Sequence, residues 1–188
     1  QEHERRALLE ATSGGWWAHE VLDFCFLRNM YWPTPAMLSE LRRDLPQLLH
    51  NYGSTQAVLD RKLQWWLLCQ EGRATTLAGL SQVYPWLSQR LIGKRVLIPS
   101  PTFGEYPRAF PQHETYPDHF RIDLNELATR LPNADVCVIV SPNNPTGTEV
   151  NTAALHALIA RHPQVLFLVD ESFQGFSTQP SLLTWLER

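Results

Sequence analysis

The chain has 188 residues, 44% apolar and 19% charged, which is the composition of a globular protein long enough to bury a full hydrophobic core. A formal net charge of −3 gives no reason to expect nucleic acid or an acidic membrane surface as a partner, and no apolar run approaches the roughly 20 residues of a membrane-spanning helix. An odd number of cysteines and a charged N-terminus argue against a disulfide framework and a secretory signal, so we predict a reducing, cytoplasmic location.

The first third of the chain is predicted to be mostly helical. Apolar periodicity and helix-breaking residues indicate helices over residues 1–11, 36–45 and 56–69, with the second helix ending before Pro46. A short strand is predicted at residues 22–27.

Strands and helices alternate over the rest of the chain. The predicted strands cover residues 75–77, 96–99, 113–116, 136–140 and 165–169, and the predicted helices cover residues 81–91, 105–110, 123–131 and 151–161. Asp123 is the predicted N-cap of its helix, and Glu126 completes a capping-box pattern. The alternation predicts an α/β fold, a three-layer αβα sandwich around a mostly parallel sheet.

Two of the predicted strands end in abrupt polar sequence. The apolar run 136–140 is followed by Ser-Pro-Asn-Asn-Pro-Thr-Gly at residues 141–147, and the run 165–169 is followed by Asp170. Open α/β sheets place ligands at the carboxyl ends of their strands, where amides and hydroxyls can hold a polar ring or a phosphate. One strand–helix–strand unit separates Asn144 from Asp170, so we predict that both lie at one edge of the sheet. The carboxylate by itself is either a helix cap or a functional acid.

These segments resemble the aminotransferase superfamily of pyridoxal-phosphate enzymes, class I and II, of fold type I. The resemblance rests on residues 141–147 and on Val-Asp-Glu-Ser-Phe at residues 169–173, in the order and spacing of the family. Leu-Ile-Pro-Ser-Pro-Thr-Phe-Gly-Glu-Tyr at residues 97–106 and the pair Asn51-Tyr52 add to it.

The resemblance assigns three residues to the cofactor ring. Asp170 matches the catalytic aspartate that pairs with the pyridine nitrogen and keeps it protonated, which lets pyridoxal phosphate act as an electron sink. Asn144 matches the asparagine that hydrogen-bonds the phenolic oxygen, and Phe103 matches the aromatic residue stacked on the ring. The plainer alternatives are a capping aspartate, a turn asparagine and a core phenylalanine.

Phosphate and substrate contacts are implied as well. Gly79, Leu80 and Ser81 open a predicted helix, where exposed backbone amides bind phosphate, and Leu80 contributes through its backbone. Tyr52 resembles a tyrosine that reaches the phosphate of the partner subunit in dimeric relatives, and Asn29 resembles an asparagine near the substrate. No metal is expected, because the histidines lack the spacing of a helical zinc pair.

Two groups within the superfamily remain open. Phe173 stands where many aminotransferases have a tyrosine. In the resemblance, threonine-phosphate decarboxylases are the relatives that usually have phenylalanine at this position. The opening Ser13-Gly14-Gly15 also resembles that group, while histidinol-phosphate aminotransferases are the other close group. The resemblance therefore implies an aminotransferase of a small amino compound, phosphorylated or not, with decarboxylation of a threonine-phosphate type of substrate as the alternative.

The family's reactive lysine has no counterpart in this sequence. That residue forms a Schiff base with the cofactor and lies beyond the aspartate, whereas Lys62 and Lys94 occupy unmatched positions that we expect at the surface. We interpret residues 1–50 as an N-terminal segment and residues 51–188 as an incomplete, truncated pyridoxal-phosphate-binding large domain, inactive as given.

The resemblance implies a homodimer that binds a small-molecule amino substrate. The rival interpretation is a catalytically incomplete domain that serves only as a folded module. A doubly wound nucleotide-binding domain is disfavoured, because the sequence has no Gly-x-Gly-x-x-Gly after a strand and no Walker-type loop.

Overall fold

The computed structural model describes residues 2–11, 29 and 31–185. The chain divides into two compact units, Gln1–Ser54 and Thr55–Arg188, which are treated separately below. The predicted strand at residues 22–27 lies outside the described residues. Within the described ranges, no helix combines the length and the apolar character needed to cross a bilayer.

The first unit contains helices α1 (Glu2–Ala11) and α2 (Pro35–His50). The predicted helix at the N-terminus is confirmed, but the predicted end of α2 before Pro46 is wrong. Pro46 removes one N–H donor and crowds the preceding turn, yet the helix continues through it to His50. Asn51 then closes α2, because its backbone N and its Nδ2 both donate to the carbonyl oxygen of Gln47, at 3.2 and 2.8 Å.

The second unit begins with helix α3 (Gln56–Leu67), which confirms the predicted helix. The predicted strand at residues 75–77 is wrong, since this segment pairs with no strand in the described part of the chain. Side chains of α3 take up its backbone groups instead. Thr76 N donates to Asp60 Oδ1 at 2.8 Å, and Gln56 Nε2 donates to the Thr76 carbonyl at 2.8 Å. With both of its backbone groups paired in this way, Thr76 needs no hydrogen bond from a neighbouring strand.

A four-stranded parallel sheet forms the centre of the second unit, in the order β2-β1-β3-β4. Its strands are β1 (Val96–Ser100), β2 (Glu114–Pro117), β3 (Val136–Val140) and β4 (Leu166–Asp170). The helices between and before them are α4 (Val83–Arg90), α5 (Glu105–Ala109), α6 (Leu124–Arg130) and α7 (Thr152–Arg161). Short 3-10 turns cover Leu80–Gln82, Leu131–Asn133, Gln174–Phe176 and Leu182–Trp185. Apart from residues 75–77, the predicted alternation over the second unit is confirmed.

Strand β3 is buried on both faces, which explains its unbroken apolar sequence. Cys137 and Ile139 pack into one core with side chains of α6 and α7. Val138 and its same-face neighbours pack into a second core with side chains of α4 and α5. The sheet therefore separates two helical layers, and the predicted three-layer αβα architecture is confirmed.

Side-chain caps fix where the helices of one layer begin. Asp123 Oδ1 accepts hydrogen bonds from the backbone N of Asn125 and of Glu126, at 2.8 and 3.3 Å, which confirms the predicted N-cap of α6. The Glu126 carboxylate pairs with Arg130 at 2.9 Å, one turn further along. Asn151 caps α7 in the same way as Asp123 caps α6. The first residues of these two helices are therefore fixed by hydrogen bonds from the capping side chains beside them.

We predict that Leu158→Ala destabilises the protein by about 2–5 kcal/mol, because Leu158 is fully buried between α7 and the sheet and its truncation leaves a cavity. Ile92→Ala is the matched control, since Ile92 is 79% exposed, and its effect should stay within about 0.5 kcal/mol. Urea unfolding measures both. Equal shifts for the two variants would contradict the assigned core.

Candidate functional site

The carboxyl ends of β3 and β4 lie side by side. Val140 pairs with Asp170 in the parallel register, and Ser141 N donates to the Asp170 carbonyl oxygen at 3.0 Å. A cavity of about 430 Å³ opens at this edge, within the range of about 300–1,000 Å³ that is typical of small-molecule sites. Five of the residues predicted for a site line it, namely Leu80, Ser81, Phe103, Asn144 and Asp170.

Asp170 is held on both carboxylate oxygens. Its Oδ1 accepts a hydrogen bond from Ser172 N at 2.8 Å, and its Oδ2 accepts one from the hydroxyl of Tyr106 at 2.7 Å. Tyr106 is only 5% exposed, and burial, with the hydrogen bond to Asp170, raises the pKa of its phenol. Tyr106 therefore remains a protonated donor to the carboxylate.

Sequence reasoning did not single out Tyr106. The only signal was its position three residues after Phe103, in the first turn of α5. Tyr84, Glu105, Ser172 and Phe173 also line the cavity and were not proposed as site residues. Their contribution depends on how α4, α5 and the turn after β4 meet, which no local pattern encodes.

Asn144 lies in the turn that follows β3. Two backbone hydrogen bonds close that turn, from Gly147 N to the Asn143 carbonyl at 2.7 Å and from Asn143 N to the Thr148 carbonyl at 2.9 Å. Gly147 has a φ of 71°, in the left-handed region that favours glycine. The amide of Asn144 has no hydrogen-bond partner among the described residues, and it borders the cavity. It is therefore free to bind a polar ligand atom.

Aromatic rings form another wall of the cavity. Phe103 is 40% exposed, and its ring centroid lies 6.3 Å from that of Tyr84, with the planes tilted by 50°. Tyr84 in turn meets Tyr106 edge to face, with centroids 5.5 Å apart. The supported but accessible ring of Phe103 can stack on a flat ligand.

The turn before α4 presents backbone N–H groups. Gln82 N donates to the Gly79 carbonyl at 3.2 Å, so the N–H groups of Leu80 and Ser81 precede the first helical hydrogen bond. Gly79 itself adjoins the cavity-lining pair and has a φ of 95°, which a residue with a side chain rarely adopts. N–H groups in this arrangement suit an anion.

Four candidates from the sequence remain to be placed. Asn29 and Tyr52 belong to the first unit, where Asn29 Oδ1 accepts a hydrogen bond from Tyr31 N at 3.0 Å, and their roles stay predictions. Lys62 and Lys94 are exposed, as predicted, and neither lines the cavity. Across the described ranges, no three His, Cys, Asp or Glu side chains converge to hold a metal ion.

A buried carboxylate lies behind the turn that carries Asn144. Asp118 is 2% exposed and accepts hydrogen bonds from Asn143 Nδ2, Thr146 Oγ1 and Thr148 Oγ1, each at 2.7 Å. Burial acts to raise the pKa of Asp118, but the hydrogen bonds outweigh it and hold the pKa below its usual value. Sequence reasoning missed this residue, although it follows a strand directly, as a functional acid often does.

We predict that Asp118 makes stability depend on acid pH. Because its pKa is lower in the folded state than in the unfolded state, its stabilisation is present above about pH 3.9 and is lost as the pH falls through the folded pKa. Urea unfolding between pH 5 and pH 2 should show a steeper loss of stability for the wild type than for Asp118→Asn. Parallel curves for the two proteins would contradict this assignment.

Comparisons with known proteins agree with this geometry. The family model for aminotransferase class I and II matches residues 23–187. A CMP-5'-(3-aminopropyl)phosphonate synthase from Streptomyces rubellomurinus is 33% identical over 94% of this chain and 29% of its own length. An L-serine phosphate decarboxylase from Sulfurospirillum multivorans is 26% identical over 88% of this chain and 46% of its own length.

A solved structure shares the fold. The crystal structure of a putative histidinol-phosphate aminotransferase from Erwinia carotovora atroseptica superposes with a TM-score of 0.70, at 20% identity, over 81% of this chain and 49% of that one. The chain thus spans less than half the length of these relatives. With the family model matched over most of its residues, the chain belongs to the aminotransferase class I and II family.

Proposed function

We propose that the protein containing this chain is a pyridoxal-phosphate-dependent enzyme that transaminates a small amino compound, with a phosphorylated compound favoured. One observation carries the proposal: a single cavity unites the carboxylate of Asp170, the unpaired amide of Asn144, the ring of Phe103 and the N–H groups before α4. These are the groups that a charged, flat, phosphorylated cofactor requires.

The residues fit the ring of this cofactor. Each oxygen of Asp170 accepts one hydrogen bond within the chain and has capacity for another, so the carboxylate can accept the N–H of a protonated pyridine. When bound, pyridoxal phosphate supplies an electron sink for the bond broken at the amino compound's α-carbon. Asp170 would hold the proton on the ring nitrogen, because a carboxylate in contact with a pyridine nitrogen favours its protonated form.

The remaining groups orient the ring and bind its phosphate. The Asn144 amide would hold the phenolic oxygen, and the ring of Phe103 would pack on the cofactor and exclude water. The N–H groups of Leu80 and Ser81 would hold the phosphate, in a turn whose positive φ at Gly79 suits glycine. Tyr106 acts through Asp170, because its hydroxyl fixes the plane of that carboxylate.

Two features favour the decarboxylase alternative. Phe173 borders the cavity without a hydroxyl, so it offers the cofactor packing and no hydrogen bond. One relative is named as a decarboxylase of serine phosphate, and another as a synthase of an aminopropylphosphonate compound. Both names mention a small amino compound with a phosphorus group. They support a phosphorylated or phosphonate amino compound as the substrate of the protein containing this chain.

The proposal extends to the parts of the enzyme outside this cavity. Because neither lysine of the chain lines the cavity, we place the family's reactive amine outside these residues. We also propose a cytoplasmic homodimer in which Tyr52 contacts the phosphate of the partner subunit and Asn29 lies near the substrate, after an N-terminal segment that ends near residue 50.

The reaction is tested with the full-length protein loaded with pyridoxal phosphate. Histidinol phosphate and threonine phosphate are supplied separately, and keto product and carbon dioxide are both measured. Keto product supports transamination, and carbon dioxide supports the alternative. Absence of both, together with no covalent adduct after borohydride reduction, would contradict an enzyme and favour a catalytically incomplete domain.

We predict that Asp170→Asn lowers kcat in the full-length enzyme by about 10²–10³-fold, because the ring nitrogen loses its anionic partner. Asp123→Asn carries the same chemical change at the cap of α6, where asparagine caps equally well, and should leave kcat unchanged. Steady-state kinetics on the substrate identified above compares them. Equal kcat values for the wild type and Asp170→Asn would remove Asp170 from the mechanism.

A further inference from the structure

Asp118 anchors the turn that carries Asn144. It directly follows β2, and its backbone N donates to the Ser100 carbonyl at the end of β1, at 2.9 Å. Its three side-chain donors, Asn143, Thr146 and Thr148, all belong to the turn after β3. The carboxylate therefore ties the ends of three adjacent strands together.

Asn143 extends this connection toward the aromatic wall of the cavity. Its Nδ2 also donates to the Pro101 carbonyl at 2.9 Å, and its Oδ1 accepts from Thr102 Oγ1 at 3.1 Å. Pro101 and Thr102 directly precede Phe103, and Asn143 directly precedes Asn144. One buried network thus holds the segment that precedes Phe103 and the segment that precedes Asn144, and both of these residues line the cavity.

The charge on Asp118 makes this network rigid. No cationic side chain pairs with Asp118 among the described residues, so neutral hydrogen-bond donors alone offset the cost of burying the carboxylate. The Phe120 N–H also donates to it. If the turn shifted, a buried charge would lose donors, which costs more than the loss of an ordinary hydrogen bond. The turn is therefore confined to one position.

We infer that Asp118 is a positioning residue for the cofactor site, which sets Asn144 and Phe103 relative to each other without touching the cofactor itself. Asp118 does not line the cavity. This inference rests on the proposed function, since it assigns the two positioned side chains to the same bound ring. A site of this kind must be held to within about 0.5 Å, and the buried network provides that constraint.

The test uses Asp118→Asn in the full-length protein. The substitution removes the charge that strengthens every hydrogen bond to this side chain, and an amide N–H placed on the Asn143 side would face the Nδ2 donor of Asn143. We expect the dissociation constant for pyridoxal phosphate to rise about tenfold and the visible circular dichroism of the bound cofactor to change. Hydrogen exchange of the cofactor-free protein should also accelerate, in the turn after β3 and in residues 101–103 together.

Thr152→Val is the matched control. Thr152 is buried, and its Oγ1 donates to the Pro180 carbonyl at 2.7 Å, outside this network. It should lower thermal stability and leave cofactor affinity, circular dichroism and exchange at the two segments unchanged. Thr146→Val, which removes a single donor to Asp118, is the milder second variant if Asp118→Asn does not fold, and it should shift the same signals in the same direction.

The outcomes separate the two proposals. If the wild type binds no pyridoxal phosphate, the proposed function fails. If the wild type binds it, and Asp118→Asn or Thr146→Val binds it with unchanged affinity and spectrum, the positioning role of Asp118 is overturned while the proposed function stands. A change of equal size in Thr152→Val would also overturn it, because general destabilisation would then explain the effect.

Discussion

Parallel pairing of β3 with β4 is the constraint on which the candidate site depends. The register places Val140 opposite Asp170, so both strands stop at the same level of the sheet. The turn after β3 and the carboxylate that ends β4 are thereby brought to one edge. Had the register slipped by one residue, the carboxylate would have pointed to the opposite face of the sheet.

At this edge, polar side chains that could contact a ligand lie at or beyond the ends of the buried strands. Both faces of β3 are covered by helices, so its side chains serve packing, and Val140 at its end also borders the cavity. Polar chemistry has room only beyond the last residue of each strand, where the chain leaves the two cores. This explains why Asp118, Asn144 and Asp170 each follow a strand or end one, although their immediate roles differ.

The sequence predicts the sheet, its layers and half of the residues that line the cavity, because these depend on signals that are local. Apolar runs with abrupt polar ends mark β3 and β4, and a capping side chain marks where α6 begins. The missed features depend on distant partners. Tyr106 reaches Asp170 only because α5 packs on the sheet beside β4's end, and Asp118 acts only because three strands stop together.

The two errors along the chain are of different kinds. The segment around Thr76 has the composition of a strand, but Asp60 and Gln56 bind the backbone N–H and carbonyl of Thr76. This is a tertiary contact that outweighs a local preference. Proline at position 46 predicts a helix end, yet α2 continues through it to His50, and no contact among the described residues explains this.

The hydrogen bonds to Thr76 give helix α3 an influence beyond its own packing. Thr76 lies three residues before Gly79, so the side chains of Gln56 and Asp60 fix one end of the segment that leads to the turn before α4, the proposed phosphate site. Both side chains are at least partly exposed, whereas Tyr84 in the cavity wall is buried. If that turn binds phosphate as proposed, substitutions on α3 would alter phosphate affinity without changing any residue that lines the cavity.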